Sequence, residues 1–377
     1  MIKIVTIVGT RPEFIKLSRV IYELDKHTNH VLVHTGQNFD YELNEVFFQQ
    51  LGIRKPDYFL DAAETNAAKT IAQVIQKVDV VLEKELPDGF LVYGDTNSCL
   101  AVIAAKKRKI PIFHMEAGNR CFDQRVPEET NRKVIDHLSD INMVLSEHAR
   151  RYLIAEGIRQ DTIIKTGSSM REVLNYHELA IEACTVLEEE DLEHGDYVMV
   201  SVHREENVES ESNFAQLLTS LSGIADKFGK RVIVSTHPRT RNKLEALGFT
   251  NSNPMIEFMK PFGFFEYIKL QKNAFCVVSD SGTITEEASL LKFPAVTIRQ
   301  AHERPEGMDE GTVIMAGLNK DNILHSISVT VDHFNEASTP YSTVQDYDVD
   351  NVSRKVLKII LSYIGFVNRT VYRKNDF

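Results

Sequence analysis

The sequence predicts an α/β fold made of two domains, each built on a parallel sheet. Short β-branched runs alternate with amphipathic stretches, which is typical of strands joined by crossover helices. This alternation stops at a polar, glutamate-rich stretch, residues 187–195, and then starts again. The length of 377 residues also suits two or three domains, since a domain has roughly 150 residues. We therefore expect two similar α/β domains in tandem.

The predicted strands are short and apolar, and each is bounded by turn-forming or polar residues. In the first half we predict strands at Ile2–Val8, His30–His34, Phe90–Tyr93, Pro111–Met115, Asn142–Leu145 and Ile163–Thr166. In the second half we predict strands at Tyr197–Val202, Arg231–Ser235, Phe275–Ser279 and Ala295–Ile298. Helical spacing in the first half predicts helices at Phe14–Asp25, Thr65–Glu85 and Asn97–Arg108.

The boundary between the domains is expected between Gly167 and Gly195. We assign residues 1–168 to an amino-terminal domain and residues 169–349 to a carboxyl-terminal domain. Ligands of parallel sheets bind beyond the carboxyl ends of the strands, so we expect the active site in a cleft between the two domains. The last helix, at about 350–377, has one apolar face, a pattern that favours docking over membrane insertion. That face carries Val352, Val356, Ile359, Tyr363 and Val367.

The charge and the cysteines exclude several classes of protein. Lys and Arg number 43 against 54 Asp and Glu, a net charge of −11, which disfavours nucleic acid or an anionic membrane as a partner. The four cysteines lack the spacing of a metal site or a disulfide framework, so we expect no metal and free thiols in a reducing cytoplasm. The apolar run Ile4–Val8 is too short for a signal segment or a membrane span.

The loop Gly9–Glu13 follows the first predicted strand and precedes a helix. Pro12 suits the first turn of that helix, so Arg11 and Lys16 would flank its amino terminus. Free N–H groups and the helix dipole favour a phosphate there. A plain strand-to-helix turn with solvated bases is the alternative. The loop lacks the glycine spacing of a dinucleotide-binding motif, and we expect no cofactor.

Carboxylates also follow strands in the first half. Asp95 and Glu116 each come directly after a predicted strand, and Glu128 follows nearby with Arg132. Helix capping by Asp95 and surface salt bridges for the others are the alternatives. Three such carboxylates in one domain favour acid–base chemistry, because neighbouring like charges separate the pKa values of an acid and a base.

The second half places polar residues at comparable positions. His203 and His237 each end a strand, where a proton-transfer or phosphate-binding group would lie, although a structural histidine is an alternative. Ser281 and Gly282 precede a helix and suit a phosphate bound by backbone N–H groups. Glu287, one turn into the helix, could bind a ribose diol. A capping box would use the same residue types.

Taken together, these motifs resemble the non-hydrolysing UDP-N-acetylglucosamine 2-epimerase family. The motifs in chain order are Gly9–Glu13 with Lys16, Gly94–Thr96, Glu116–Gly118, Pro127–Arg132, His203–Glu205, Asp280–Gly282 with Glu286–Glu287, and Glu303–Glu306. The resemblance implies two Rossmann-like domains in the glycosyltransferase-B arrangement, with the last helix packed on the first domain. It also implies a homodimer that acts on a UDP-2-acetamido sugar.

The resemblance implies a division of roles among the site residues. The expected catalytic residues are Lys16, Asp95, Glu116, Glu128, Arg132 and His203, and the expected substrate-binding residues are Arg11, His203, His237, Phe264, Ser281, Gly282 and Glu287. In the family, UDP leaves by anti elimination across C1–C2 to give a 2-acetamidoglycal, and it adds back with the C2 proton on the other face. Which carboxylate removes the proton stays open.

Several segments resemble the subgroup that converts UDP-2-acetamido-2,6-dideoxy-L-talose into UDP-N-acetyl-L-fucosamine, a capsule and O-antigen precursor. They are residues 35–40, Thr-Gly-Gln-Asn-Phe-Asp, residues 118–124 after Glu116, and residues 260–265. The first departs from the Gln-His-Arg run of many family members, which puts allosteric activation in doubt. A 6-deoxy sugar carries a methyl group, so we expect an apolar contact from Phe122 or Phe264.

Other enzyme and binding classes compete with this interpretation. UDP-N-acetylglucosamine as the substrate is the nearest alternative. A UDP-sugar glycosyltransferase would share the UDP site but need an acceptor site. A hydrolysing 2-epimerase would release the free sugar, and a non-catalytic nucleotide-sugar sensor would not need the carboxylates.

Overall fold

The computed structural model describes residues 1–36, 48–337 and 340–374. The chain divides into two compact units, of which the first comprises Met1–Tyr176 and Asp346–Phe377 and the second His177–Gln345. Each unit has its own parallel sheet and its own hydrophobic core. Within the described residues, no helix is long and apolar enough to cross a membrane.

The first unit contains a seven-stranded sheet in the order β3-β2-β1-β4-β5-β6-β7. Its strands are β1 Lys3–Val8, β2 Asn29–His34, β3 Tyr58–Phe59, β4 Gly89–Tyr93, β5 Ile112–Ala117, β6 Ile141–Val144 and β7 Ile163–Lys165. Its helices are α1 Arg11–His27, α2 Ala67–Glu85, α3 Val102–Lys107, α4 Glu128–Leu138, α5 Glu147–Ala155, the start of α6 Met170–Glu182, and α15 Val352–Thr370. Short 3₁₀ turns occupy Asn97–Ala101 and Gln160–Thr162.

The second unit contains a six-stranded sheet in the order β10-β9-β8-β11-β12-β13. Its strands are β8 Tyr197–Val202, β9 Arg231–Thr236, β10 Ile256–Met259, β11 Cys276–Ser279, β12 Ala295–Thr297 and β13 Ile314–Met315. Its helices, after the end of α6, are α7 Val186–Glu189, α8 Glu205–Val208, α9 Glu211–Phe228, α10 Pro238–Ala246, α11 Phe264–Asn273, α12 Ile284–Leu291, α13 Pro305–Asp309 and α14 Lys320–Glu336.

The central strands are apolar along nearly their whole length because helices cover both faces of each sheet. In β4, all five residues are buried, and in β8 five of the six are. The strand order reverses between β1 and β4 in the first unit and between β8 and β11 in the second. A crevice suited to ligands lies beyond the carboxyl ends of the strands at such a reversal. The loops after these strands are therefore the expected location of the site residues.

All ten strands predicted from the sequence are present, with ends that differ by at most two residues. Three further strands, β3, β10 and β13, were not predicted. Each lies at the edge of its sheet, and two of them have only two residues. An edge strand buries little of its surface, so its sequence lacks the apolar run that identifies a central strand.

The last helix, α15, packs against α1. The buried face of α15 is rotated relative to the predicted one. Ile360 and Ile364 are buried, whereas Ile359 and Tyr363 are only partly covered. Val352, Val356 and Val367 are buried as expected. The predicted helix at 97–108 is also different in detail, since its first turn is a 3₁₀ turn.

Candidate active site

In the first unit, Glu13 joins the two loops at the strand-order reversal. Its carboxylate accepts hydrogen bonds from the backbone N–H of Gly9 at 2.5 Å and of Thr10 at 3.3 Å, and from the Thr96 hydroxyl at 2.6 Å. Burial raises the pKa of Glu13 to about 7, although these hydrogen bonds partly oppose the rise. The loop after β1 is thereby tied to the loop after β4.

Arg11 and Lys16 lie in the first two turns of α1. Arg11 is the first residue of the helix and is half-buried, and Pro12 follows it in the first turn as predicted. Lys16 is only 1 % exposed, and its backbone carbonyl accepts a hydrogen bond from the Ser169 hydroxyl at 2.7 Å. A turn with solvated bases therefore does not describe Lys16. A lysine is buried to this degree only when its charge has a partner.

Asp95 is held by an arginine. Its Oδ2 atom lies 2.8 Å from Nε of Arg132, and Nη1 of Arg132 lies 2.7 Å from Oε2 of Glu129. Thr96, not Asp95, is the cap of the following 3₁₀ turn, so the capping alternative for Asp95 is wrong. Burial raises the pKa of Glu129, but hydrogen bonds from Cys121 and Arg132 outweigh it and leave this pKa below its usual value. Glu129 is not among the site residues predicted from the sequence.

Glu116, the second-to-last residue of β5, has an irregular backbone conformation. Its φ is +63°, and the pairing of β5 with β6 shifts register between Met115 and Ala117. A side chain in this left-handed region costs roughly 1–3 kcal/mol, and bulges of this kind redirect side chains at the ends of strands. The hydroxyl of the buried Tyr93 donates to Glu116 Oε2 at 2.5 Å. The bulge and Tyr93 together hold the carboxylate at the carboxyl edge of the sheet.

A buried ion-pair network supports the loop that follows Glu116. Arg120 is 1 % exposed, and its guanidinium lies 2.7 Å from Asp136 and 2.6 Å from Glu156. Asp136 also accepts the backbone N–H of Gly118 at 3.2 Å. Glu128, the remaining predicted carboxylate, is half-buried at the first position of α4. The fold thus brings Asp95, Glu116, Glu128 and Arg132 onto neighbouring strand ends and the helix after β5.

In the second unit, Asp280 organises the loop that follows β8. Its fully buried carboxylate accepts the backbone N–H of His203 at 3.1 Å, the N–H of Arg204 at 3.0 Å and the Asn207 amide at 3.0 Å. Nδ1 of His203 lies 3.2 Å from Asp280. Desolvation lowers the pKa of His203 and nearby arginines lower it further, although Asp280 opposes this. A lowered pKa favours the neutral imidazole, which can accept or donate a proton.

His237 lies at the amino terminus of α10. Its Nδ1 atom accepts the backbone N–H of Arg239 at 3.3 Å, so the ring caps the helix. The centre of the ring is 5.9 Å from that of His203. Two imidazoles thus lie side by side at the ends of adjacent strands β8 and β9.

The Ser281–Gly282 loop begins beyond β11. The Ser281 hydroxyl lies 3.0 Å from that of Thr283, and a Cβ atom added to Gly282 would lie 2.4 Å from Oε1 of Glu303. Only a glycine allows Glu303 to approach this closely. Glu287 is 5 % exposed and accepts a hydrogen bond from the Gln271 amide at 2.7 Å.

The two phenylalanines considered for the sugar methyl group differ in exposure. Phe264 is 3 % exposed and packs near Phe265 and His177, so its ring belongs to the interior of the second unit. Phe122 is 67 % exposed, has a φ of +56° and meets the Tyr152 ring edge-on at 5.1 Å. Of the two rings, only that of Phe122 offers an accessible apolar surface in this conformation.

In the described part of the chain, no three His, Cys, Asp or Glu side chains are grouped so that they could hold a metal ion. The segment 37–40, whose sequence departs from the family pattern, lies outside the described residues.

Two Rossmann-like α/β domains with charged loops at both strand-order reversals define a protein of the glycosyltransferase-B fold class. A family model described as UDP-N-acetylglucosamine 2-epimerase matches residues 22–361. The chain belongs to the UDP-N-acetylglucosamine 2-epimerase family. It is accordingly an isomerase, a UDP-sugar 2-epimerase.

Three relatives illustrate the similarity. A structure titled UDP-N-acetylglucosamine 2-epimerase from Rickettsia bellii is 55% identical, with a TM-score of 0.92 over 99% of this chain and 100% of that one. The Methanocaldococcus jannaschii UDP-GlcNAc 2-epimerase, in complex with UDP-GlcNAc and UDP, is 31% identical, with a TM-score of 0.90 over 96% and 100% of the two chains. The Pseudomonas aeruginosa UDP-2,3-diacetamido-2,3-dideoxy-D-glucuronate 2-epimerase is 34% identical over 86% of this chain and 91% of that protein.

Proposed function

We propose that the enzyme epimerises C2 of a UDP-2-acetamido sugar by anti elimination of UDP followed by readdition. The observation that carries this proposal is the pair of carboxylates at the ends of the adjacent strands β4 and β5. Asp95 is held by Arg132 at 2.8 Å, and Glu116 is held by Tyr93 at 2.5 Å. Inversion at C2 requires a proton to leave one face and return to the other, which two separately held carboxylates can perform.

Elimination fits the chemistry of the substrate better than direct deprotonation. A C2 hydrogen beside an acetamido group is weakly acidic, so departure of UDP from C1 must assist the loss of the proton. The departing diphosphate develops negative charge, which fixed donors stabilise. Arg11 at the start of α1, neutral His203, His237 and the Ser281–Gly282 loop are the proposed donors, and Glu287 is the proposed ribose contact.

The remaining first-unit residues are proposed to act around the reacting carbons. Lys16 is a buried cation, and Arg132 links Asp95 to Glu129. Glu128 is the third carboxylate of the set. We assign the proton transfers to Asp95, Glu116 and Glu128 as a group.

The proposed substrate is UDP-2-acetamido-2,6-dideoxy-L-talose, which would become UDP-N-acetyl-L-fucosamine, a precursor of surface polysaccharide. The accessible ring of Phe122, in the loop after Glu116, supports an apolar contact with the C6 methyl group. UDP-N-acetylglucosamine is the second candidate, because relatives such as the Rickettsia bellii protein carry that name.

Proton NMR in D₂O tests both the reaction and the substrate. The purified enzyme is incubated separately with each candidate substrate, and the C2 proton, its coupling and free UDP are followed. We expect deuterium at C2 and inverted coupling with the 6-deoxy substrate. Exchange only with UDP-N-acetylglucosamine would transfer the assignment to that sugar. No exchange with either would contradict the epimerase proposal for these substrates.

A homodimer is also proposed for this enzyme in solution. Sedimentation velocity on the purified chain tests it, and a monomer at micromolar concentration would contradict it.

A further inference from the structure

Arg299 has two hydrogen-bond donors that nothing in the described chain uses. It follows β12 and is 3 % exposed. Its Nη1 atom donates to Oε2 of Glu303 at 2.7 Å. Its Nε and Nη2 atoms have no hydrogen-bond partner among residues 1–36, 48–337 and 340–374. Buried donors of a charged group are costly to leave unsatisfied, so such a group indicates a missing acceptor.

The unused donors belong to a small cavity at the carboxyl edge of the second sheet. The cavity has a volume of about 10 Å³, which is room for one oxygen atom or one water molecule. The hydroxyl of Thr297, which also lines it, is likewise without a partner in the described chain. Other lining residues include Ser281, Gly282, His302 and Arg304.

Arg299 lies directly behind the Ser281–Gly282 loop. A Cβ atom added to Gly282 would lie 2.4 Å from Oε1 of Glu303 and 3.7 Å from Nη1 of Arg299. The glycine therefore brings the loop backbone close to this ion pair. A ligand atom bound at the loop would lie near the guanidinium.

The neighbouring carboxylates already have cationic partners. Glu303 accepts Nη1 of Arg299 and lies 3.7 Å from Arg204. Glu286 accepts Nε of Arg304 at 3.1 Å. His302 lies between cations, and burial together with Arg299 and Arg304 lowers its pKa despite the opposing effect of Glu303. A further anionic oxygen would consequently find the Nε and Nη2 donors of Arg299 available to it.

We infer that Arg299 is a diphosphate-binding residue, whose Nε and Nη2 donate to a phosphate oxygen of UDP from behind the Ser281–Gly282 loop. This inference rests on the proposed function. A guanidinium donates two parallel hydrogen bonds to a phosphate, which a neutral donor cannot match in strength. The same contact stabilises the charge that develops on UDP as it leaves C1.

Calorimetric titration with UDP and with uridine tests the assignment. Arg299→Lys keeps a cation beside Glu303 and removes the forked pair of donors. We expect the affinity for UDP to fall about tenfold, with the affinity for uridine unchanged, because only UDP carries the diphosphate. Arg231→Gln is the matched control, since Arg231 is ion-paired with Glu257 at 2.7 Å at the opposite, amino-terminal edge of the sheet. This control should bind both ligands as the unaltered enzyme does.

A second variant tests the same role if Arg299→Lys does not fold. The double change Arg299→Gln with Glu303→Gln removes both charges together and leaves no single buried charge. It should show the same selective loss of UDP affinity. Unchanged UDP affinity in the folded variants, or an equal loss for UDP and uridine, would overturn the role of Arg299. Failure of the unaltered enzyme to bind UDP more tightly than uridine would instead contradict the proposed function.

Discussion

The two units have the same kind of sheet, but the charged residues at their strand ends are arranged differently. In the first unit, the carboxylates Asp95 and Glu116 lie at strand ends, where Arg132 donates to Asp95 and Tyr93 donates to Glu116. In the second unit, the carboxylates are buried and serve as internal acceptors. Asp280 accepts backbone N–H groups and Glu303 accepts Nη1 of Arg299, while Nε and Nη2 of Arg299 have no hydrogen-bond partner among the residues that the structure describes.

This difference shows how one topology provides two kinds of chemistry. A parallel sheet brings loops together at the strand-order reversal whatever their residues are. In the first unit those loops carry the carboxylates to which we assign the proton transfers, whereas in the second they carry the donors that we propose for the diphosphate. Substitutions of the first-unit carboxylates should thus change turnover, and substitutions of the second-unit donors should change UDP affinity.

The largest effect is expected from Glu116→Gln and from Asp95→Asn. Each removes a group that can take or return a proton, so kcat should fall about a thousandfold. UDP affinity, measured by calorimetry, should be retained because neither Glu116 nor Asp95 is among the proposed UDP contacts. Loss of UDP affinity with normal turnover at saturation would contradict the proposed difference between the two units.

The second-largest effect on turnover is expected from a change of Tyr93, the tyrosine that donates to Glu116. Tyr93→Phe removes a hydroxyl donor 2.5 Å from the carboxylate, and we expect kcat to fall about tenfold with little change in KM. Tyr58→Phe is the control, since Tyr58 makes a similar 2.5 Å bond to Glu85, to which we assign no part in the reaction. Equal kcat and KM values for the two variants would show that the Tyr93 hydroxyl does not assist the reaction.

A glycine substitution tests the second unit. In Gly282→Ala, the added methyl would lie 2.4 Å from the buried Glu303, and the loop must move, so UDP affinity should fall about tenfold. Gly223→Ala is the control, because its methyl would lie 2.9 Å from the flexible chain of Lys320 and at an ordinary contact distance of 3.5 Å from Leu324. Calorimetry with UDP compares them. A Gly282→Ala variant with normal UDP affinity would show that the loop does not bind the diphosphate.

The smallest effect on activity, but a distinct effect on stability, is expected from Glu13→Gln. The pKa of Glu13 is raised from 4.5 to about 7, so the folded protein retains a proton that the unfolded chain loses. The bound proton therefore adds to the free energy of unfolding. This contribution is full below pH 4.5 and is lost as the pH rises through about 7, a loss of at most about 3 kcal/mol.

Urea unfolding between pH 5 and pH 8 measures this contribution. The Gln variant should have a flatter dependence of stability on pH than the unaltered protein. Glu209→Gln, at an exposed position, should leave the dependence unchanged. Parallel curves for the unaltered protein and Glu13→Gln would show that Glu13 titrates at its ordinary pKa.

The strand pattern shows which parts of the fold are predictable from local sequence. Central strands such as β4 and β8 are buried on both faces, and the resulting apolar runs identify them without other information. The edge strands β3 and β13 have two residues each and no such run. In α15, helical spacing predicted an apolar face, but contact with α1 decides that Ile360 and Ile364 are the residues it buries.

The candidate site, like the fold, has features that local sequence predicts and features that it does not. The sequence by itself determined where charged loops follow strands, because strand ends, glycines and helix starts are local signals. Thus Asp95, Glu116, His203 and Ser281 could be selected before any contact was known.

Only the tertiary structure decided which of these groups have partners. Tyr93 meets Glu116 across 23 residues, Asp280 meets His203 across 77, and Arg132 meets Asp95 across 37. The unused donors of Arg299 likewise become visible only once the surrounding loops are in place. Burial and hydrogen bonding set the charge state of a group, and both depend on residues that folding brings together from distant parts of the chain.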